Sequence, residues 1–218
     1  MASLGVGTPV ELTQKARESL RYPPADRVLW VTVHPAALRA PRDPHTQLVE
    51  LENDEVLWLG AMGEELVMEV GGDPDRAVRD RVARHMLRGP RLWEIVRPQP
   101  PLRDGVEGPL STIYHGARPW LIVGEAAQGA PLAVPLNVPS NRKWYSPVVR
   151  RSSMSFPGND QDSQIELAHV WTLPGDTPAE GKLLQPGVAI LEPIVASYFG
   201  VSADRSEGRF AGRPPVVA

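Results

Sequence analysis

Arg118 stands directly before Pro119 at the head of the apolar run Trp120-Leu121-Ile122-Val123. Proline cannot donate to a ladder, so it belongs at the first position of a strand. The arginine is thereby fixed at the mouth of a β-structure. A second apolar run, Pro131-Leu132-Ala133-Val134-Pro135-Leu136, ends in Asn137, and Ser140 follows closely. A guanidinium beside an amide and a hydroxyl is a candidate anion site. Arginine suits phosphate contacts, and a fixed positive charge would offset charge developing in phosphoryl transfer. Asn137 and Ser140 would orient the scissile phosphate. The plainer readings are a strand-edge arginine paired with a carboxylate such as Glu166, and a capped turn at Asn137 and Ser140. His115 lies just before the Arg-Pro step, and its ring could act as a general acid or base near neutral pH. His169 alternates with Leu167 and Trp171, which reads as a core or interface histidine.

Arg142-Lys143-Trp144-Tyr145, with Arg150 and Arg151 after it, places cations beside aromatic rings. That combination suits single-stranded RNA, whose bases can stack on rings while the backbone meets positive charge. The alternative is a solvated hairpin with its aromatics turned inward. His34, His45 and His85 show no metal-ligand spacing, and cysteine is absent. No metal site and no cofactor are therefore expected. No Gly-rich phosphate loop, Gly-x-Ser-x-Gly elbow or His-Glu-x-x-His occurs.

The elements that must position these residues are short. Thr8-Pro9-Val10-Glu11 has the form of a capping box with proline at N1, so residues 8–20 are expected to be helical. Residues 28–33 read as a strand. Residues 47–52, 55–59 and 64–70 read as three strands of an antiparallel meander. Asp73-Pro74 signals a helix over 74–87, with Val78, Val82 and Met86 on one face. Beyond Gly89-Pro90, strands are expected at 92–96, 119–123, 132–136, 146–150, 164–173 and 187–192, with a helical turn at 193–199. The fold class is α+β. Residues 1–88 form an N-terminal α+β region of unassigned role, residues 89–201 a small β-barrel, and residues 202–218 a flexible tail.

Residues 91–199, roughly half the chain, resemble the PemK/MazF-like growth inhibitors, a family of RNA-cleaving toxins. Arg91-Leu92-Trp93-Glu94-Ile95-Val96 is similar to the family's first strand. A long loop then leads into Arg118-Pro119-Trp120-Leu121-Ile122-Val123, as in the family. Pro131 to Asn137 is similar to the next strand, and residues 163–173 to the later "Ser…Leu-Leu-Asp-Gln-Ile-Arg-Thr-Val" segment. The family's Thr is Asn137 here, its Asp-Gln is Ala168-His169, and its later Arg is Trp171. The resemblance implies an SH3-like barrel, a homodimer and an antitoxin partner. It also implies metal-independent cleavage of single-stranded RNA, with Arg118 offsetting the phosphorane charge and His115, Asn137 or Ser140 assisting proton transfer. The alternative is a barrel that kept its fold and lost the chemistry: a nucleic-acid-binding or protein-interaction module, or a stress-response DNA-binding protein.

Composition bounds these readings. The 218 residues are enough to bury a core without disulfide staples. A net charge of −3 runs against a strongly basic nucleic-acid binder, so any positive surface must be local. Lysine is confined to Lys15, Lys143 and Lys182, and arginine carries the remaining positive charge. The 24 prolines favour short strands and rigid loops over long helices. No apolar run reaches the ~20 residues of a membrane span, and no signal peptide is evident. The absence of cysteine is compatible with the cytoplasm, which is the expected location.

Overall fold

Most of the Pro- and Gly-bounded apolar runs become strands, and the ladders between the described strands are antiparallel. The computed structural model describes residues 6–15, 29–31, 45–52, 55–63, 67–97, 118–126, 128–139, 147–158, 160–167 and 169–201. Five strands come first: β1 (Pro9–Leu12), β2 (Leu29–Val31), β3 (His45–Glu52), β4 (Glu55–Gly63) and β5 (Val67–Glu69). Helix α1 (Val78–Ala83) follows. Then come β6 (Glu94–Val96), β7 (Trp120–Glu125), β8 (Pro131–Asn137) and β9 (Val148–Val149). A single 3-10 turn, Arg151–Ser153, leads into β10 (Met154–Ser155). The chain continues through β11 (Ser163–Ile165), β12 (Val170–Thr172) and β13 (Ala179–Leu183) into helix α2 (Gln185–Phe199).

The strand order is β10-β13-β6-β7-β8-β12-β4-β3-β2-β1-β5, with β11 pairing both β8 and β9. Strand β5 follows β4 in sequence but pairs with β1, through Val10↔Glu69 and Leu12↔Val67. The early strands are therefore not a simple meander: β5 returns to the far side of β1, and the sheet nearly closes into a barrel. The molecule is mostly strand with two helices among the described residues.

Tertiary pairing overrides a local helix signal at the start of the chain. Residues 9–12 were expected to open a helix, but they form a strand paired on both sides, with β2 and β5. Pro9, Val10 and Leu12 are buried and Glu11 is half-buried, as befits a strand covered along most of its length. Helical backbone begins only at Gln14.

The expected helix over 74–87 is shortened to Val78–Ala83. Val78 and Val82 are buried on one face, as the spacing predicts. The start shifts from Asp73 because the Asp75 carboxylate accepts the Ala77 N–H at 3.0 Å. The end tightens through i−3 bonds from His85 to Val82 and from Met86 to Ala83. The chain is then drawn onto β7 by Leu87 N–H to Val123 and Glu125 N–H to His85.

The expected strand at 187–192 is part of α2 instead. Gly187, Leu191, Val195, Tyr198 and Phe199 are its buried residues, a spacing of about four that makes one helical face. Pro186 near the N-terminus suits the first turn, and Gly200, at φ 72°, supplies the left-handed C-cap. Leu191 and Val195 are fully buried. They join Val78 and Val82 of α1 and Leu121, Val123, Leu132 and Val134 of β7 and β8 in one apolar cluster. Burying each such side chain contributes roughly 1.5–3 kcal/mol.

Candidate functional site

Pro135 divides one expected strand into two and so builds the site. Residues 164–173 were expected to be continuous. In the fold, β12 pairs with the first part of β8 (Trp171↔Ala133), and β11 pairs with the last part (Ile165↔Leu136). Between them Pro135 turns its carbonyl toward this edge, where it accepts the Glu166 N–H at 3.1 Å. The same edge lacks the N–H that proline cannot supply, so the partner strand leaves the ladder there. Glu166 sits at that break, 5% exposed.

Asn137, at the end of β8, lies opposite Gln164 of β11 and is 8% exposed. Its Nδ2 donates to Glu166 Oε2 at 2.5 Å. Its Oδ1 accepts a short hydrogen bond from Arg118 Nη1. Both neighbours fix the orientation of the amide. A guanidinium only donates and a carboxylate only accepts, so the oxygen must face Arg118 and the nitrogen Glu166. Arg118 itself is exposed, held at the entry to β7 by Pro119.

The result is a three-residue chain from the surface to the interior: Arg118, Asn137, Glu166. Two residues singled out from the sequence meet here, and the carboxylate considered as a partner for Arg118 reaches it through Asn137. Asn137 has no ionisable proton and both its amide ends are engaged. It can orient Arg118, but it cannot carry a proton between groups.

Arg118 and Asn137 line a cleft of about 410 Å³ with Arg97, Val138, Phe156, Asp160 and Asp162. Arg97 follows β6 directly, and the Val96↔Trp120 pairing brings it beside the Arg-Pro step. Its Nε lies 3.1 Å from Glu180 Oε2. Asp162 Oδ1 accepts the Arg151 backbone N–H at 2.9 Å, which pins the turn before β10 to the cleft wall. The charges lining this cleft are two arginines and two aspartates.

Arg150 is exposed and precedes the 3-10 turn, with its carbonyl accepting the Ser153 N–H. His115, Ser140, Arg142, Lys143, Trp144 and Tyr145 lie outside the described residues. His169 is not in a strand but at the break before β12, because Pro135 interrupts the ladder there. Among the described residues, no group of three or more His, Asp or Glu side chains stands close enough to hold a metal ion.

Sequence reading missed Arg97, Phe156, Asp160 and Asp162 as cleft residues. Arg97 carried a signal: it ends the apolar run that neighbours the Arg-Pro strand. The other three come from the 156–162 connection, whose path no local pattern specifies. Among the described residues, no helix is long and apolar enough to cross a membrane. No family model, curated protein or solved structure matches the chain.

Proposed function

We propose that the protein binds single-stranded RNA through the Arg118 cleft, as a PemK/MazF-like growth inhibitor of the cytoplasm. The observation that carries this reading is the Arg118–Asn137–Glu166 chain. A buried carboxylate and an oriented amide fix a surface guanidinium at the mouth of a cleft. Arginine presents five N–H donors in a planar fork that matches phosphate oxygens. Holding it in place in advance lowers the entropy lost when a phosphate docks. In this reading residues 89–201 form an SH3-like barrel that pairs as a homodimer and is held in check by an antitoxin, with residues 1–88 as an added α+β region.

The corresponding reaction needs no metal. The ribose 2′-oxygen attacks the adjacent phosphorus, the bond from phosphorus to the 5′-oxygen breaks, and a 2′,3′-cyclic phosphate and a 5′-hydroxyl result. One proton leaves the 2′-hydroxyl and one is delivered to the departing oxygen. Arg118 offsets the extra charge on the phosphorane. His115 and Ser140 are the proposed proton-handling groups, and Asn137 holds Arg118.

A second reading, a binding module without cleavage, is favoured by the balance of two arginines and two aspartates in the cleft and by the full engagement of Asn137. One experiment separates the two. Purified full-length protein is incubated with mixed single-stranded RNA in EDTA, and binding is followed by fluorescence anisotropy and cleavage on gels. Cleavage that survives EDTA and falls about 10²–10³-fold in Arg118→Ala supports the nuclease. Binding that weakens with salt and with Arg118→Ala, but without cleavage, supports the module. Absence of binding at low salt, or binding only to single-stranded DNA, overturns the RNA reading.

A further inference from the structure

The Arg118 cleft does not end at its own wall. Phe156 lines it and also lines a second, larger depression of about 980 Å³. That depression runs along β10 and β13 and is bordered by Arg151, Ser155, Glu180 and Lys182. Arg97 belongs to the first compartment and Glu180 to the second, and their ion pair spans the divide. Phe156 is therefore a wall common to the two depressions.

The position of this ring is built into the fold. Phe156 packs partly against the apolar core. It follows β10, whose partner β13 carries Gly181 directly beneath it. A Cβ at Gly181 would lie 1.9 Å from the Ser155 carbonyl oxygen and 2.4 Å from the Phe156 Cβ. Only a residue without a side chain lets the 155–156 backbone sit this close to β13. An aromatic ring left half-buried between two depressions, with its backbone clamped, has little further freedom to lose on binding.

Cations stand on both sides of the ring. Glu94 is held by Arg91 at 2.7 Å and Glu180 by Arg97 at 3.1 Å. Over the two depressions the lining charges balance, Arg97, Arg118, Arg151 and Lys182 against Glu94, Asp160, Asp162 and Glu180, and Arg118 stands on one side of the ring with Arg151 and Lys182 on the other. Cations on both sides of an aromatic wall match a polyanionic strand that carries flat bases.

We infer that Phe156 is a base-stacking wall of the Arg118 cleft, so that the cleft takes a nucleotide of a single strand with its phosphate on Arg118 and the adjoining base against the ring. This rests on the proposed RNA reading and adds to it which part of the nucleotide is recognised beyond the phosphate.

The test compares two fluorescein-labelled oligonucleotides of equal length by anisotropy, an oligouridylate and an abasic strand with the same sugar-phosphate backbone. Full-length protein is used, as parent, Phe156→Leu, Phe156→Tyr and Arg118→Ala. The leucine variant keeps an apolar group against the core and removes the aromatic face, and thermal melting checks that it folds. The parent should bind oligouridylate about 5- to 150-fold more tightly than the abasic strand, the range for one stacked base. Phe156→Leu should lose that preference and still bind the abasic strand like the parent, while Phe156→Tyr should keep it. Arg118→Ala should weaken both ligands together. Equal affinity of the parent for both strands, or an unchanged preference in folded Phe156→Leu, overturns the stacking role even if Arg118→Ala still weakens binding. No binding of either strand by the parent refutes the RNA reading itself.

Discussion

Asn137→Ala tests the site at its centre. The Asn137 side chain joins an exposed guanidinium to a carboxylate that is 5% exposed. Its removal has unequal effects at the two ends. At the Arg118 end water replaces the lost acceptor, and the loss is small. At the Glu166 end a buried carboxyl oxygen loses a donor 2.5 Å away. Hydrogen bonds to charged groups are worth about 1.5–3 kcal/mol. Glu166 keeps a further interaction of its own, so the loss lies at the lower part of that range, about 1–2 kcal/mol. At about 2–4 °C per kcal/mol for a chain of this size, the melting temperature should fall by roughly 2–8 °C. Urea unfolding and calorimetry read this directly. Arg118→Ala should lower stability far less than Asn137→Ala, because Arg118 meets solvent. A double-mutant cycle with Glu166→Ala should give a coupling of about 0.5–3 kcal/mol. A loss below about 0.5 kcal/mol for Asn137→Ala, together with zero coupling, would show that the amide does not bridge these residues.

Two further substitutions probe the scaffold. Gly124→Ala would put a Cβ 2.3 Å from the His85 carbonyl oxygen. It should cost at least about 1–3 kcal/mol by urea unfolding and expose the His85 and Leu87 pairings with β7 to hydrogen exchange; unchanged exchange would contradict the close approach. Pro193 lies exposed inside α2, where it denies the helix one backbone donor, so Pro193→Ala should stabilise the protein by about 1–2 kcal/mol in the same assay after the entropy gained by the unfolded chain is subtracted. A loss of stability would mean that the proline shapes the helix in a way its neighbours require.

Much of the β-structure could be read from local sequence. Trp120 to Val123 and Pro131 to Leu136 are apolar, bounded by Pro and Gly, and buried along almost their whole length, as strands covered on both faces must be. The hairpin they form, with Arg118 at its mouth, follows from those runs and from the position of Pro119. Helix α1 kept its predicted apolar face because Val78 and Val82 are one turn apart.

The remainder was decided by long-range pairing. Thr8-Pro9-Val10-Glu11 satisfies a helix-start pattern, but the burial of Val10 and Leu12 in a strand paired with both β2 and β5 outweighs a cap worth only about 1 kcal/mol. Trp93, at φ 71°, delays β6 until Glu94. Residues 187–192 carry a short apolar run that suits either strand or helix, and the face presented to the core selected the helix. The site shows the same division. Its residue types are local: an arginine before a proline, an asparagine at a strand end, a glutamate in an apolar segment. Their meeting is not, because it depends on the edge of β8 that Pro135 turns toward β11 and β12. A missing donor on one strand displaces another strand that lies some thirty residues further along the chain, and no local pattern reports that displacement.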